Sequence, residues 1–237
     1  MPRDATTGGS LTQTAYERLR ADVLACRLRP GERVRINDLC EHLSVSLSAV
    51  REALSRLAAE GFLVAEPQRG FRVAPISAEE LRDLTAVRVE IEGLCLRRAI
   101  AAGDVAWEEQ LVAAHHRLSR TPEREEGDEN RVGEAFATAH AAYHRALVAG
   151  CDSPWLLRLR EILYAQGERY RRLSVPLARR PRDLKREHRE IMEAALARDA
   201  DRAVALLARH MELTAAILLE AEGDGPGLAV TRSQPGT

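Results

Sequence analysis

Apolar residues recur at three- and four-residue intervals through most of this chain and alternate over only one short stretch. Tyr16, Leu19, Val23 and Cys26 mark a first helix across "TAYERLRADVLACR", which Pro30-Gly31 breaks. A short helix over "INDLCEHL" follows, then a second over "SAVREALSRLAAEG" that stops at Gly61, a residue suited to the position after a helix. "FLVAEPQRGFRVAPI" predicts two short strands around the turn Pro67-Gln68-Arg69-Gly70. Helix, helix, turn, helix and hairpin within about 65 residues is the order of a winged helix-turn-helix.

Beyond Ser77 the alternation disappears. "SAEE" reads as a capping box, and helices are predicted over 78–101, 105–120, 130–149, 154–173, 182–198 and 200–221. Gly103-Asp104 separates the first two, and the acidic "TPEREEGDEN" reads as a solvated loop. Ser153 and Pro154 open the fourth helix as cap and first residue, and "VPLARRP" interrupts before the fifth. Six helices with short connections make a bundle. The fold class is mainly α: a winged helix-turn-helix of three helices plus a β-hairpin wing over 13–76, then an all-α helical bundle over 77–222. The polar ends, 1–12 and 223–237, read as disordered tails.

Composition adds bounds. The 237 residues leave room for two modest cores, and 45% hydrophobic with 30% charged residues describes a soluble globular chain. No apolar run approaches the roughly 20 residues of a membrane span. "MPRDATTGGS" lacks the apolar segment of a secretory signal, so a cytoplasmic location is expected. Cys26, Cys40, Cys95 and Cys151 are scattered without a CxxC pair, which fits a reducing compartment and small core residues. A net charge of −1 neither demands nor excludes nucleic acid. Lys185 is the only lysine among 35 basic residues, so arginine abundance alone is poor evidence for phosphate binding.

The segment "RLRPGERVRINDLCEHLSVSLSAVREALSRLAAEGFLVAEPQRGFRVAP" resembles the winged helix-turn-helix of the GntR family of bacterial transcription regulators. The resemblance implies a recognition helix whose N-terminal residues Ser46, Leu47, Ser48 and Arg51 meet the major groove of double-stranded DNA. Serine hydroxyls at a helix start suit phosphate oxygens, and an arginine can pair bidentately with guanine. Arg69 and Gly70 at the wing tip approach the minor groove, and Arg35 braces the DNA backbone. The family usually carries arginine where this chain has Leu47, so its operator preference does not transfer; leucine suits a thymine methyl instead. Ser46 and Ser48 also serve simple helix capping, and Arg69 also fits a solvated turn.

"ATAHAAYHRAL" sets His140 and His144 one turn apart, on a face shared with Phe136, Tyr143 and Leu147. His188 lies in the stripe Leu184, His188, Ile191, Ala195, and His210 in Leu206, His210, Leu213, Ile217. Any one such histidine is more often a satisfied core residue. Four on inward faces would each need a polar partner, and one shared cation serves them all. His42, His115 and His116 fall outside the pattern.

"VRVEIEG", "HAAYHRALVAGCDSPWL" and "EHREIMEAALARDADRAVALLARHM" resemble the FCD effector domain of the FadR-like branch of that family. The resemblance implies a metal site of one aspartate and three histidines, which places His140 at the aspartate position beside His144, His188 and His210. A competing reading leaves His140 unligated. Imidazole donors suit Zn²⁺ first and Ni²⁺ second. The resemblance puts Arg88 near the metal, with Arg169 and Arg172 as further effector-binding candidates; an ordinary Arg88–Glu92 ion pair is the simpler alternative. The expected function is a ligand-responsive repressor, not an enzyme: a homodimer on a pseudo-palindromic operator, sensing a small carboxylate. Two alternatives stay open: a regulator that senses the metal itself, and a metal-dependent hydrolase using Glu92 or Glu187.

Overall fold

The structure, a computed structural model, describes residues 5–174 and 182–223. Residues 1–4, the "VPLARRP" segment and the tail from 224 onward lie outside the described residues. Two compact units divide between Ser77 and Ala78.

The first unit contains α1 (Ala5–Leu24), β1 (Arg33–Val34), α2 (Ile36–Leu43), α3 (Leu47–Ala59), β2 (Leu63–Glu66) and β3 (Gly70–Val73). Helix α1 starts earlier than the spacing from Thr14 predicts and runs through part of the expected tail. Its buried stripe begins at Thr12 and continues through Ala15, Leu19 and Val23, so contact with the core anchors the helix only from there on. These side chains meet Val50, Ala53, Leu54 and Leu57 of α3, all at most 1% exposed. Ser44 adopts a left-handed conformation between α2 and α3, and Ser46 caps α3 by accepting from the Ala49 N–H.

The wing has three strands rather than the two expected, in the order β1-β3-β2 and antiparallel throughout. β1 is only Arg33–Val34, too short for an alternating pattern to betray. Its pairing is fixed by Gly31, at φ +76°, whose N–H donates to the Val73 carbonyl at 3.0 Å.

The second unit is a helical bundle: α4 (Ala78–Ala102), α5 (Val105–Arg120), α6 (Glu134–Val148), α7 (Pro154–Ser174), α8 (Leu184–Leu196) and α9 (Ala200–Gly223). Asp104 and Asp183 cap α5 and α8 through the N–H groups of Trp107 and Arg186. The acidic stretch is not a plain loop. It forms a hairpin of β4 (Arg124–Glu125) and β5 (Asp128–Val132), turning at Gly127, and α6 therefore starts at Glu134 rather than near 130. Among the described side chains of this ribbon Val132 is the buried one, at 7% exposure, so little hydrophobic alternation marks it in the sequence.

Leu96, Ala99, Leu111, Tyr143, Leu147, Ile191 and Leu207 form the centre of the bundle. The inward stripe of α9 is Ala203, Leu207, His210, Met211, Ala215 and Leu218. Leu206 and Ile217 are half-buried and Leu213 is exposed, so the predicted stripe was displaced by part of a turn. An Ala/Leu-rich helix offers two adjacent apolar stripes, and His210 borders both. All four cysteines are free, with Cys95 and Cys151 buried beside each other.

Candidate nucleic-acid interface and metal centre

The start of α3 presents a polar, solvated surface. Ser46 Oγ lies 3.0 Å from Ser48 Oγ, Leu47 is 48% exposed, and Arg51 projects into solvent one turn on. Leu47 is thus about half open to solvent and available to a partner. At the wing tip the Arg69 N–H donates to the Glu66 carbonyl, and Gln68 and Gly70 take positive φ. The Arg33 guanidinium donates twice to the Arg69 carbonyl, holding the turn while the Arg69 side chain stays exposed. Arg35 is solvated, with only a long contact to Asp38 at 3.9 Å.

The second unit gathers His140, His144, His188 and His210, each at most 5% exposed, with one donor atom apiece within 4.8 Å of the others. His140 and His144 stand one turn apart on α6, their Nε2 atoms 3.2 Å from each other. Facing imidazole nitrogens at that distance must share either a proton or a cation. His140 Nδ1 meets the Tyr164 hydroxyl at 3.1 Å, and the Tyr143 hydroxyl donates to the His188 carbonyl at 2.7 Å.

His210 is oriented most firmly. Its Nδ1 lies 2.8 Å from Glu187 Oε2, and a carboxylate there only accepts, so Nδ1 carries the proton and Nε2 keeps its lone pair. Arg182 donates to Glu187 and to the His210 carbonyl, both at 2.7 Å. Burial works to raise the Glu187 carboxyl, but the hydrogen bonds from His210 and Arg182 outweigh it and bring it down to about 2.

Desolvation, reinforced by neighbouring positive charge, holds His140, His144 and His188 far below the ordinary histidine range; His210 is lowered too, against the pull of Glu187. All four are therefore neutral, the form that binds metal. His144 Nδ1 and His188 Nε2 are buried without a protein partner. Orphaned imidazole nitrogens at a four-histidine cluster fit a transition-metal ion and do not fit Mg²⁺ or Ca²⁺.

A cavity adjoins the cluster, with about 30 Å³ open to the centres of water-sized molecules, enough for about two waters. Arg88, Thr85, Tyr164, Glu168, Arg171 and Thr214 line it alongside His140, His144 and His210. Arg88 donates to Glu92 at 2.7 Å, so the ion pair is present and the guanidinium also reaches the cavity. Gly167 makes room for it: a Cβ there would lie 2.2 Å from Arg88 Nη1. Arg169 and Arg172 are absent from the cavity wall; Arg169 is buried, and Arg172 is held by Glu134 and Glu168. Arg171, which donates twice to Glu168 at 2.7 Å, takes the lining position instead. Sequence reasoning missed it, and it missed the buried Arg160, whose Nε lies 3.5 Å from Glu92. The 4-3 spacing of Tyr164, Glu168 and Arg171 was the available signal. His42 and His116 are exposed, and His115 is half-buried against the Tyr143 ring, outside the group of four.

The family model for the FCD domain matches residues 83–213, and the one described as bacterial regulatory proteins, gntR family, matches residues 11–73. The chain belongs to the GntR family and carries an FCD domain. It is 40% identical over 209 residues to the uncharacterized HTH-type transcriptional regulator BphR of Paraburkholderia xenovorans (strain LB400), covering 88% of this chain and 85% of that one. It is 34% identical over 200 residues to the HTH-type transcriptional repressor GlaR of Escherichia coli (strain K12), covering 83% and 90%. Among solved structures, a putative GntR regulator from Rhodococcus sp. RHA1 superposes with a TM-score of 0.69 at 25% identity, covering 90% and 99%. E. coli McbR/YncC shares the fold with a TM-score of 0.72 at 23% identity, covering 90% and 98%. This GntR-family chain is thus a DNA-binding transcriptional regulator rather than an enzyme. Among its described residues no helix is long and apolar enough to cross a membrane.

Proposed function

We propose that this regulator is a cytoplasmic repressor that binds a pseudo-palindromic operator as a homodimer, with an FCD domain that holds a divalent transition metal and responds to a small carboxylate. The observation that carries the reading is the convergence of four neutral, buried imidazoles beside a cavity walled by Arg88 and Arg171. His140, His144, His188 and His210 would hold the ion, Zn²⁺ first and Ni²⁺ second. When bound, it supplies a Lewis-acidic positive centre for an anion's oxygen.

The protein's own residues favour an anion in the same place. Glu92 lies between Arg88 and Arg160, and Arg160 pairs also with Glu161, so the positive groups offered to an anion would be the bound ion and the Arg88 and Arg171 guanidiniums that reach the cavity. Thr85 and Thr214 add hydroxyls, and the small cavity restricts the effector to a few heavy atoms unless the walls move. Histidine at position 140 brings no charge of its own, which favours an acid over a metal acting alone as the signal. In the first unit, Ser46, Ser48 and Arg51 take phosphate and guanine contacts, Leu47 an apolar base edge, Arg69 and Gly70 the minor groove, and Arg35 the backbone. The name of the E. coli relative supports repression.

Native mass spectrometry with elemental analysis tests the metal, and calorimetric titration with small mono- and dicarboxylates tests the effector, with and without chelation. Acid binding that survives complete chelation unchanged would remove the metal from the effector site. Metal binding that alone changes operator affinity, with no acid response, would favour a metal sensor.

A further inference from the structure

Two thiols meet inside the FCD domain, outside the four-histidine cluster. Cys95 lies on the buried side of α4 and Cys151 in the turn between α6 and α7, at 0% and 7% exposure. The two hydrogen-bond to each other. Close backbone packing brings them together. Gly150 sits against α4 one turn beyond Cys95, where a Cβ would lie 2.9 Å from the Ala99 carbonyl oxygen and 3.1 Å from Gly103 Cα. The Cys151 N–H donates to the Val148 carbonyl at 2.9 Å, and Asp152 pairs with Arg98 at 3.4 Å, so the turn is held on both sides. Thiols in contact across two fixed segments of backbone are close to the geometry a disulfide requires.

A buried charge accompanies them. The Arg160 guanidinium is 1% exposed; its Nη1 is held by Glu161, and its Nη2 is buried without a hydrogen-bond partner. Arg160 favours negative charge on Cys95, but burial and the neighbouring thiol outweigh it and push Cys95 up to about 12. Cys95 is therefore a thiol at rest and a poor first nucleophile.

We infer that Cys95 and Cys151 form an oxidation site for hydrogen peroxide, at which a reversible disulfide ties the middle of α4 to the α6–α7 turn. Cys151, the more accessible sulfur, attacks first. An S–O bond forms, the O–O bond breaks, and the Cys151 proton leaves with the departing hydroxide as water. The Cys95 sulfur then displaces the hydroxyl of the Cys151 sulfenic acid. The S–S bond forms, the S–O bond breaks, and that hydroxyl leaves with the Cys95 proton as a second water. Two thiols lose two electrons, and one peroxide gains them. Arg160 stabilises the negative charge that develops on the Cys95 sulfur as its proton departs. The site depends on neither the metal nor the effector.

The test exposes the full chain, reduced and then freed of reductant, to about a tenfold excess of hydrogen peroxide. Free thiols counted after denaturation should fall from four to two per chain, a tryptic map should link Cys95 to Cys151, and dithiothreitol should restore both. The oxidised form should melt about 5 °C or more above the reduced one, because the bridge closes a loop of about 57 residues. Cys95→Ala should stop at a sulfenic acid on Cys151, which dimedone captures, and Cys151→Ala should leave Cys95 unmodified. The thiol count and linkage map of the parent decide the matter even where an alanine variant does not fold. Four thiols persisting after exposure overturn the inference, as does oxidation of Cys26 or Cys40 that leaves Cys95 and Cys151 reduced. Dimedone on Cys95 in the Cys151→Ala chain overturns the order of attack.

Discussion

Arg51 on α3 and His188 on α8 are both polar residues on helices, yet the first is solvated and the second is 2% exposed. The difference runs through both units. Around α3 the candidate contact residues lie on the surface and take almost no part in packing. In the FCD domain the candidate ligands replace apolar side chains in the core, so every nitrogen left unpaired weighs on the fold. Substitutions at Leu47, Arg51 and Arg69 should therefore change binding alone, with Ser46 the exception because it also caps α3, whereas those in the second unit should change binding and stability together.

The strongest way to break that contrast is acid. In the metal-free protein the folded state resists protonating the four histidines, while the unfolded chain accepts protons near pH 6.5. Above that pH both states are neutral and nothing is lost. As pH falls through it, the unfolded state takes up more protons, and stability should drop by up to about 1.4 kcal/mol per pH unit for each histidine. Thermal unfolding of chelated protein between pH 7.5 and pH 5 reads this directly, and a flat profile would mean the histidines are solvated.

Metal comes next. At a free concentration about 1,000 times Kd, an ion bound only by the folded state adds about 4 kcal/mol. That increment should vanish in His144→Ala and His210→Ala along with the metal itself. A full metal complement in either variant would show that the cluster is a set of ordinary core histidines. Glu187→Gln tests the orientation of His210 more gently. It should weaken metal affinity about 10- to 100-fold without abolishing it.

On the surface side, Arg51→Ala should cost about 1–3 kcal/mol of specific operator binding while melting temperature and metal content stay put. Unchanged protection of the same operator would discard its assignment. Leu47→Arg should have the smallest energetic effect, within about 0.5 kcal/mol on stability. Selection from random DNA should nonetheless enrich different sites, because a guanine-reading donor has been added.

The sequence disclosed the helices and the four histidines because both are written in a 3.6-residue period. Phe136, His140, Tyr143, His144 and Leu147 are all buried as their spacing predicts. What escaped notice lacks that period or depends on contact. β1 is two residues long, and the β4–β5 ribbon is charged or polar at every strand position but Val132. Whether Arg169, Arg171 or Arg172 reaches the cavity depends on a rotation of α7 by fractions of a turn, set by how Gly167 accepts Arg88. Glu187 was legible as a neighbour of His188 in sequence, but its partner is His210 on another helix. No one-dimensional pattern carries that pairing.

Helix α7 has two distinct sides: Tyr164, Glu168 and Arg171 face the cavity, and Trp155, Leu159 and Ile162 are exposed to solvent. A rigid helix cannot rotate or slide on one side without doing so on the other. A ligand that filled the cavity and shifted α7 would therefore shift the exposed stripe with it, and by reciprocity anything held against that stripe would act back on the cavity to the same extent.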